Sequence, residues 1–290
     1  MRKHRSFSPS SAAGFTLLEL ITVIVISGII AGMIAVFIVS PVTAYLDTAR
    51  RAELTENADT AIRRIARDLR TALPNSIRVV AVGSVTYLEF IPTVGGGRYR
   101  QYPTAGGGGN SLDFSNADTA FDVLGPAPVY SAGNSLVLFN LGSGSASDAY
   151  AGNNRSALSS SNAVSGLFSS DATPHTLVFA AKQFPAPSPS ARFQVVQTPV
   201  TYACVPNPAV SASGVLNRYA GYAFAAAQPQ PPGVTPQLQV GNVAECDFDY
   251  NEVVNSGAHT RTGLVTLRLR LEQQGESARL VHQMQVVNAP

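Results

Sequence analysis

Apolar residues run almost unbroken from Phe15 to Val39, and polar positions become frequent only after Pro41. Leu20–Val39 is a stretch of 20 uncharged residues. At ~1.5 Å per residue a helix over it spans about 30 Å, the hydrocarbon core of a bilayer. From Val42 to Leu73 the apolar positions space out. Ile62, Ile65, Ala66, Leu69 and Leu73 follow i, i+3, i+4, i+7 and i+11, one stripe of an amphipathic helix. Pro41 interrupts or kinks the helix between the two patterns, and Pro74 stops it. Asp47 with Arg51, Asp59 with Arg63 and Arg64 with Asp68 form i,i+4 pairs, each worth roughly a few tenths of a kcal/mol. The interleaved acids make this arginine-rich face a solvated one, with an anionic-lipid contact or a filament stagger device as alternatives. A helix apolar first and amphipathic later cannot bury both halves in one small domain. The second half suits the spine of a head; the first needs lipid or neighbouring helices.

After Ile77 the period changes to two. Ile77–Val82 and Val85–Ile91 flank Gly83-Ser84, a two-residue loop that predicts a type II′ hairpin. Val129–Asn140, Thr176–Phe184, Arg192–Cys204 and Val243–Val254 read as strands. Gly263–Glu272 alternates with Val265, Leu267, Leu269 and Leu271 on one face, and Ser277–Asn288 can close a hairpin with it. The Gly-rich tract 92–115 and the Ser/Gly/Ala/Asn tract 141–175 read as long surface loops, and Pro185–Pro189 and Pro206–Pro236 as surface connections. The fold class expected is α+β. A long N-terminal helix, its first half in the membrane and its second half amphipathic, packs on an antiparallel β-sheet head.

One acid, Glu19, sits inside the apolar run, where an ionised carboxylate costs roughly 2.5–3.5 kcal/mol on insertion scales. Arg2, Lys3 and Arg5 precede the run, and small residues lead to Gly14. The window Gly14-Phe15-Thr16-Leu17-Leu18-Glu19 resembles the N-terminus of type IV prepilins and type II secretion pseudopilins. The resemblance implies cleavage by a prepilin peptidase between Gly14 and Phe15, then N-methylation of Phe15. It implies that Glu19 pairs with the N-terminal amine of a neighbouring subunit during filament assembly. In low dielectric such a pair attracts far more strongly than in water, so a wrongly staggered subunit is penalised. The divisions that follow are a leader at 1–14, a transmembrane and assembly helix at 15–40, an amphipathic helix at 41–74 and a β-rich head at 75–290. An ordinary signal-anchor and a cleaved secretory signal are the plainer readings. A secretory apolar region usually runs only about 7–15 residues.

Basic residues before the span keep the N-terminus cytoplasmic and send the head to the periplasm. The expected location is therefore the inner membrane, single-pass, with the filament as a second place. Asp47-Thr-Ala-Arg-Arg51, the run Arg67–Arg78 and the ending Val286–Pro290 together resemble minor prepilins of the mannose-sensitive haemagglutinin (MSHA) pilus system. Pseudopilin J of type II secretion and the PilW-type minor pilins are the nearest alternatives. The partners implied are the prepilin peptidase, other major and minor pilins, an inner-membrane assembly platform and membrane lipid. The chain departs from many pilins in lacking a proline in the middle of the apolar helix.

The formal charge of +2 includes three basic residues of the leader; without them 17 basic face 18 acidic groups. A near-neutral mature chain lacks the basic patch that nucleic-acid binding requires. Cys204 and Cys246 are the only cysteines, and in a periplasmic head they read as one disulfide. Two free buried thiols or metal ligands are the alternatives. Asp247-Phe-Asp249-Tyr-Asn251 begins like a calcium loop, but Glu252 and Ala258 stand where such a loop needs glycine and a bidentate Glu. Strand alternation explains it without a metal. His282 reads as a packed or rim histidine. The glycine runs 95–97 and 106–109 lack the strand-to-helix context of a phosphate cradle, and no hydrolase or metalloprotease motif is present. No enzyme activity, cofactor or metal is expected. A periplasmic enzyme on a signal-anchor and an adhesive tip subunit are the competing functions.

Overall fold

The computed structural model describes residues 14–163, 168–169, 174–252 and 262–289. The leader, apart from Gly14, and the end of the strand expected at Val243–Val254 lie outside them. The chain divides into two units, Met1–Arg50 and Arg51–Pro290.

In the first unit, α1 spans Leu17–Ile34 and a π-helical turn spans Ala35–Val39. A second helix, α2, starts at Ser40 and runs to Leu69. Pro41 cannot donate to a carbonyl of the preceding turn, and its ring crowds that turn; the wider π turn lies just before it. No residue of α1 is buried, so its apolar surface is left uncovered by the described residues. Among the described residues this is the one helix long and apolar enough to cross a bilayer. The ion pair of this unit joins Arg50 to Asp47 at 2.9 Å. Asp47 with Arg51, the pairing expected from spacing, is not formed: Arg51 bonds Glu276 at 2.7 Å instead.

In the second unit the rest of α2 is a spine. Leu54, Ala58, Ile62, Ile65, Ala66 and Leu69 are buried on one face. Each large side chain so buried contributes about 1.5–3 kcal/mol. Asp59 and Arg63 pair on the outer face at 2.6 Å. Asp68 turns from Arg64 to Arg218, 3.0 Å away. The helix stops at Leu69, short of the expected Leu73. Thr71 and Ala72 bond back to Asp68 and Leu69, while the Leu73 amide donates to Ile91 at 2.7 Å. Leu73 therefore enters the sheet layer.

Fifteen strands are described, all paired antiparallel: β1 (Arg78–Val82), β2 (Val85–Phe90), β3 (Thr93–Tyr99), β4 (Asp118–Pro126) and β5 (Ser135–Leu138) come first. Next are β6 (Arg155–Ala157), β7 (Phe168–Ser169), β8 (His175–Lys182), β9 (Arg192–Val196) and β10 (Val200–Val205). Last come β11 (Val215–Ala220), β12 (Gln237–Val240), β13 (Val243–Glu252), β14 (Thr262–Gln273) and β15 (Glu276–Val287).

One sheet has the order β1-β2-β10-β11-β12 and a second is the meander β13-β14-β15. Both pack on α2: Leu88, Phe90 and Tyr202 from the first and Val265, Leu267, Leu269 and Met284 from the second share its core. The β1–β2 hairpin pairs Val82 with Val85 across Gly83, which takes φ 60°. The bridge Cys204–Cys246 ties β10 to β13, with Cα atoms 5.9 Å apart.

The third assembly runs β6-β5-β9-β3-β4, with β7 and β8 both on β4. Leu158, next to β6, bridges to Phe179 of β8, and the Ser159 amide donates to Val178 at 3.0 Å. The sheet thereby curls back on itself around Tyr99, Phe121, Phe179, Phe184, Phe193 and Leu136.

Here the expectations from sequence need correction. The tract 92–115 is not one exposed loop, because Thr93–Tyr99 is β3, between β9 and β4. Its glycines admit what a side chain would exclude. A Cβ on Gly97 would lie 2.9 Å from the Phe193 ring, and one on Gly95 2.7 Å from Pro128. Over 141–163 the chain is packed rather than an excursion. Asp148 accepts from the amides of Gly144 and Tyr150, and buried Asn154 donates to Leu138 O. Short polar side chains bonded to backbone replace an apolar pattern there. Arg192–Cys204 is two strands in different sheets, parted before Val200 by Pro199, which has no N–H for a ladder. Val129–Asn140 shortens to β5, because Asn134 Oδ1 accepts from the Ser131 amide and closes a turn. The connection 206–236 contains β11, so it is not wholly a surface run.

Candidate functional site

The residues singled out at the N-terminus stand together at the start of α1. Gly14 and Phe15 precede the helix, and a Cβ at Gly14 would meet nothing within 4 Å. Phe15 is 82% exposed, so the bond between them is open to an enzyme. Thr16 is the N-cap, with φ −83° and ψ 149°, and its side-chain oxygen accepts from the Glu19 amide at 3.3 Å. Thr16 O accepts from Leu20 at 3.2 Å, and Thr22 Oγ1 donates to Glu19 O at 2.9 Å.

Thr16 and Glu19 thus occupy the Ncap and N3 positions, the Thr-x-x-Glu spacing of a capping box. Sequence reading passed over Thr16, although that spacing was visible. The cap fixes where the helix begins, two residues after Phe15. Glu19 lies in the first turn, where a negative charge complements the helix dipole. Its carboxylate is exposed on the molecule's own surface, so a partner for it must come from outside this helix. The arrangement can present an accessible scissile bond and, after the cut, a cationic amine one turn away from a carboxylate. It contains no nucleophile–base pair.

The other residues weighed from sequence are engaged in structure. Asp247 pairs with Arg268 at 2.9 Å, and Asp249 accepts from Asn251 at 3.0 Å. Phe248 is buried on the opposite face, and no group of three His, Cys, Asp or Glu able to hold a metal occurs among the described residues. His282 is half-buried opposite Leu267, midway along the β14–β15 ladder. Gly95–Gly97 belong to β3, and Gly109 packs over the Arg100 guanidinium.

Two networks, one part-buried and one buried, both invisible in sequence, hold the head. Asp68 accepts from Tyr202 at 2.8 Å and Arg218 at 3.0 Å, pinning the end of α2 to β10 and β11. Burial, and then the Asp68 charge, hold the Tyr202 hydroxyl well above its ordinary range. Glu89, with no exposed surface, accepts from Arg78 and from Tyr222, the latter at 2.8 Å. Burial raises its carboxyl above the ordinary range, against the lowering effect of Arg78. Arg78 also donates to the carbonyls of Ala225 and Ala226 and lies over the Tyr150 ring. Each of these groups is bonded to its neighbours, and together they fasten the head.

Residues 9–35 match the prokaryotic N-terminal methylation motif, the prepilin-type signature. No curated protein and no solved structure matches the chain. The motif marks a type IV pilin- or pseudopilin-like protein, and it implies processing by prepilin peptidase and assembly with other pilins. The long helix with antiparallel sheets is consistent with that class.

Proposed function

We propose that the chain is a minor pilin-like subunit of an MSHA-type pilus, of the MshO kind, acting in assembly or initiation rather than catalysis. In this reading the peptidase cuts between Gly14 and Phe15, and Phe15 is N-methylated. The apolar half of the helix holds the precursor in the inner membrane with its head periplasmic, and then packs among other pilin helices. The observation that carries the reading is the methylation motif over 9–35, followed by a helix with no residue of α1 buried in its own chain. Such a helix needs an environment, and lipid and neighbouring pilin helices supply it in turn. Glu19 gives that exchange a direction, because its carboxylate is costly in lipid and is satisfied by an incoming amine.

Mass spectrometry of the membrane-extracted protein should find an N-methylated Phe15 as first residue. An intact Met1 or a cut elsewhere would remove the reading. Glu19→Gln keeps the shape, removes the charge and eases insertion. It should be inserted and cleaved, yet be depleted about tenfold or more from sheared assemblies relative to its membrane level. Incorporation at the wild-type ratio would show that this charge does not direct assembly.

A further inference from the structure

Four arginines on the strands of the head are answered by acids. Arg78 pairs with Glu89, Arg218 with Asp68, Arg268 with Asp247 and Arg270 with Glu245. Arg98 of β3 and Arg192 of β9 are answered by each other: they stand directly opposite in the ladder. The Tyr99 amide donates to Ala191 O at 2.8 Å, so the arginine pair falls at the next, non-bonded position, where facing side chains come closest. Like charges so opposed destabilise a sheet. Arg270 and Arg279 are opposed in the same way, but Glu245 and Glu272 both hold Arg270.

Arg98 and Arg192 are both exposed. Arg98 Nε donates to Ser190 O at 3.2 Å, while Arg192 has no side-chain bond among the described residues. Beside the pair lies an open groove of about 430 Å³, and no acidic side chain lines it. The groove stays open because of Gly96, which faces Gln194 across the ladder. A Cβ there would lie 2.7 Å from Phe193 O, a backbone atom that cannot swing aside.

We propose that this groove binds an acidic saccharide, Arg98 and Arg192 holding one sugar carboxylate while the ring lies over Gly96. The occupant follows from charge and shape. Two guanidinium groups with no acid beside them call for an oxyanion from outside, and their planar forks match a carboxylate. A sheet surface bare of side chains accepts a flat ring, which a small ion would leave uncovered. A polyphosphate chain would need a basic track, and Val94 and Gln194, further along the two strands, carry no charge. This binding role is separate from the part the N-terminal helix plays in assembly and does not rest on it.

The test uses the full-length chain in detergent micelles, with trigalacturonate as the probe in isothermal titration calorimetry. Trigalacturonate should bind saturably, and its methyl ester, with the same rings but no charge, at least tenfold more weakly. Arg192→Gln should weaken binding of the acid at least tenfold without lowering the thermal midpoint of the head. Arg279→Gln removes an equal charge elsewhere on the head and should leave the affinity unchanged. Should Arg192→Gln misfold, Arg98→Gln should give the same loss. No saturable binding, wild-type affinity in a folded Arg192→Gln protein, or an equal loss in Arg279→Gln would overturn the proposal. So would inorganic sulfate binding as tightly as trigalacturonate, since the groove would then hold only an ion.

Discussion

The helix-backed part of the head and the glycine-rich curled sheet beside it keep their shape by opposite means. Along α2, β10 and β14 the core is filled by Leu, Ile, Val and aromatic side chains, supplied at helical and strand periods. Around β3, β4 and β9 the strands approach because side chains are missing, and Phe193 fills the space above Gly97. Loops there are held by Asp148 and Asn154 bonding to backbone. The first region stores its stability in apolar area, the second in close fit and satisfied polar groups. One should fail when atoms are removed, the other when they are added.

Ile65→Ala tests the first half of that statement with the largest expected effect. Ile65 is 2% exposed on the buried face of α2, so its truncation leaves a cavity between helix and sheets. The cost should be about 2–5 kcal/mol, read as a lower denaturation midpoint with an unchanged slope. A loss below about 1 kcal/mol would mean that the helix is not the spine.

Gly97→Ala tests the second half. The added methyl would sit 2.9 Å from one ring carbon of Phe193 and 3.5 Å from Val123, both fully enclosed. A loss of about 1–3 kcal/mol is expected, as for other over-packed cores. The double change Gly97→Ala with Phe193→Leu should recover part of it, since Leu is shorter where the clash falls. If Gly97→Ala alone is neutral or stabilising, the glycines are not there for fit.

The contrast also accounts for what could be read from the chain. The stripe Ile62, Ile65, Ala66, Leu69 and Leu73 and the alternation of Val265, Leu267, Leu269 and Leu271 announce themselves through periodicity, and each of these residues lies in the core; the hairpin around Gly83 announces itself through its turn. The run Gly95–Gly97 has no period, so nothing local distinguishes β3 from a loop. Its partner β9 lies about a hundred residues away in sequence. Asp68 illustrates the same limit. Its near neighbour Arg64 is visible by spacing, but its actual partners Tyr202 and Arg218 come from strands that only the fold brings near. At the N-terminus the legibility is reversed. Gly14, Phe15 and Glu19 are local signals, and the capping role of Thr16 was equally local.

The smallest effect separates burial from charge within α2. Asp59 and Arg63 pair at 2.6 Å, but Arg63 is 78% exposed, and water competes for both groups. Such an i,i+4 pair contributes only about 0.3–0.5 kcal/mol, less in salt. Asp59→Ala also replaces a weak helix former by the best one, which offsets part of that loss. The net change should therefore lie within about 0.5 kcal/mol of zero. The measurement is a pair of denaturation midpoints, wild type and variant, at low and at 0.5 M salt. At the higher salt the variant should gain slightly on wild type, because screening removes the pair and leaves the propensity term. A loss above about 1 kcal/mol that persists in salt would mean that the outer face of α2 holds the head as firmly as Ile65 does, and the division between the two regions would need another basis.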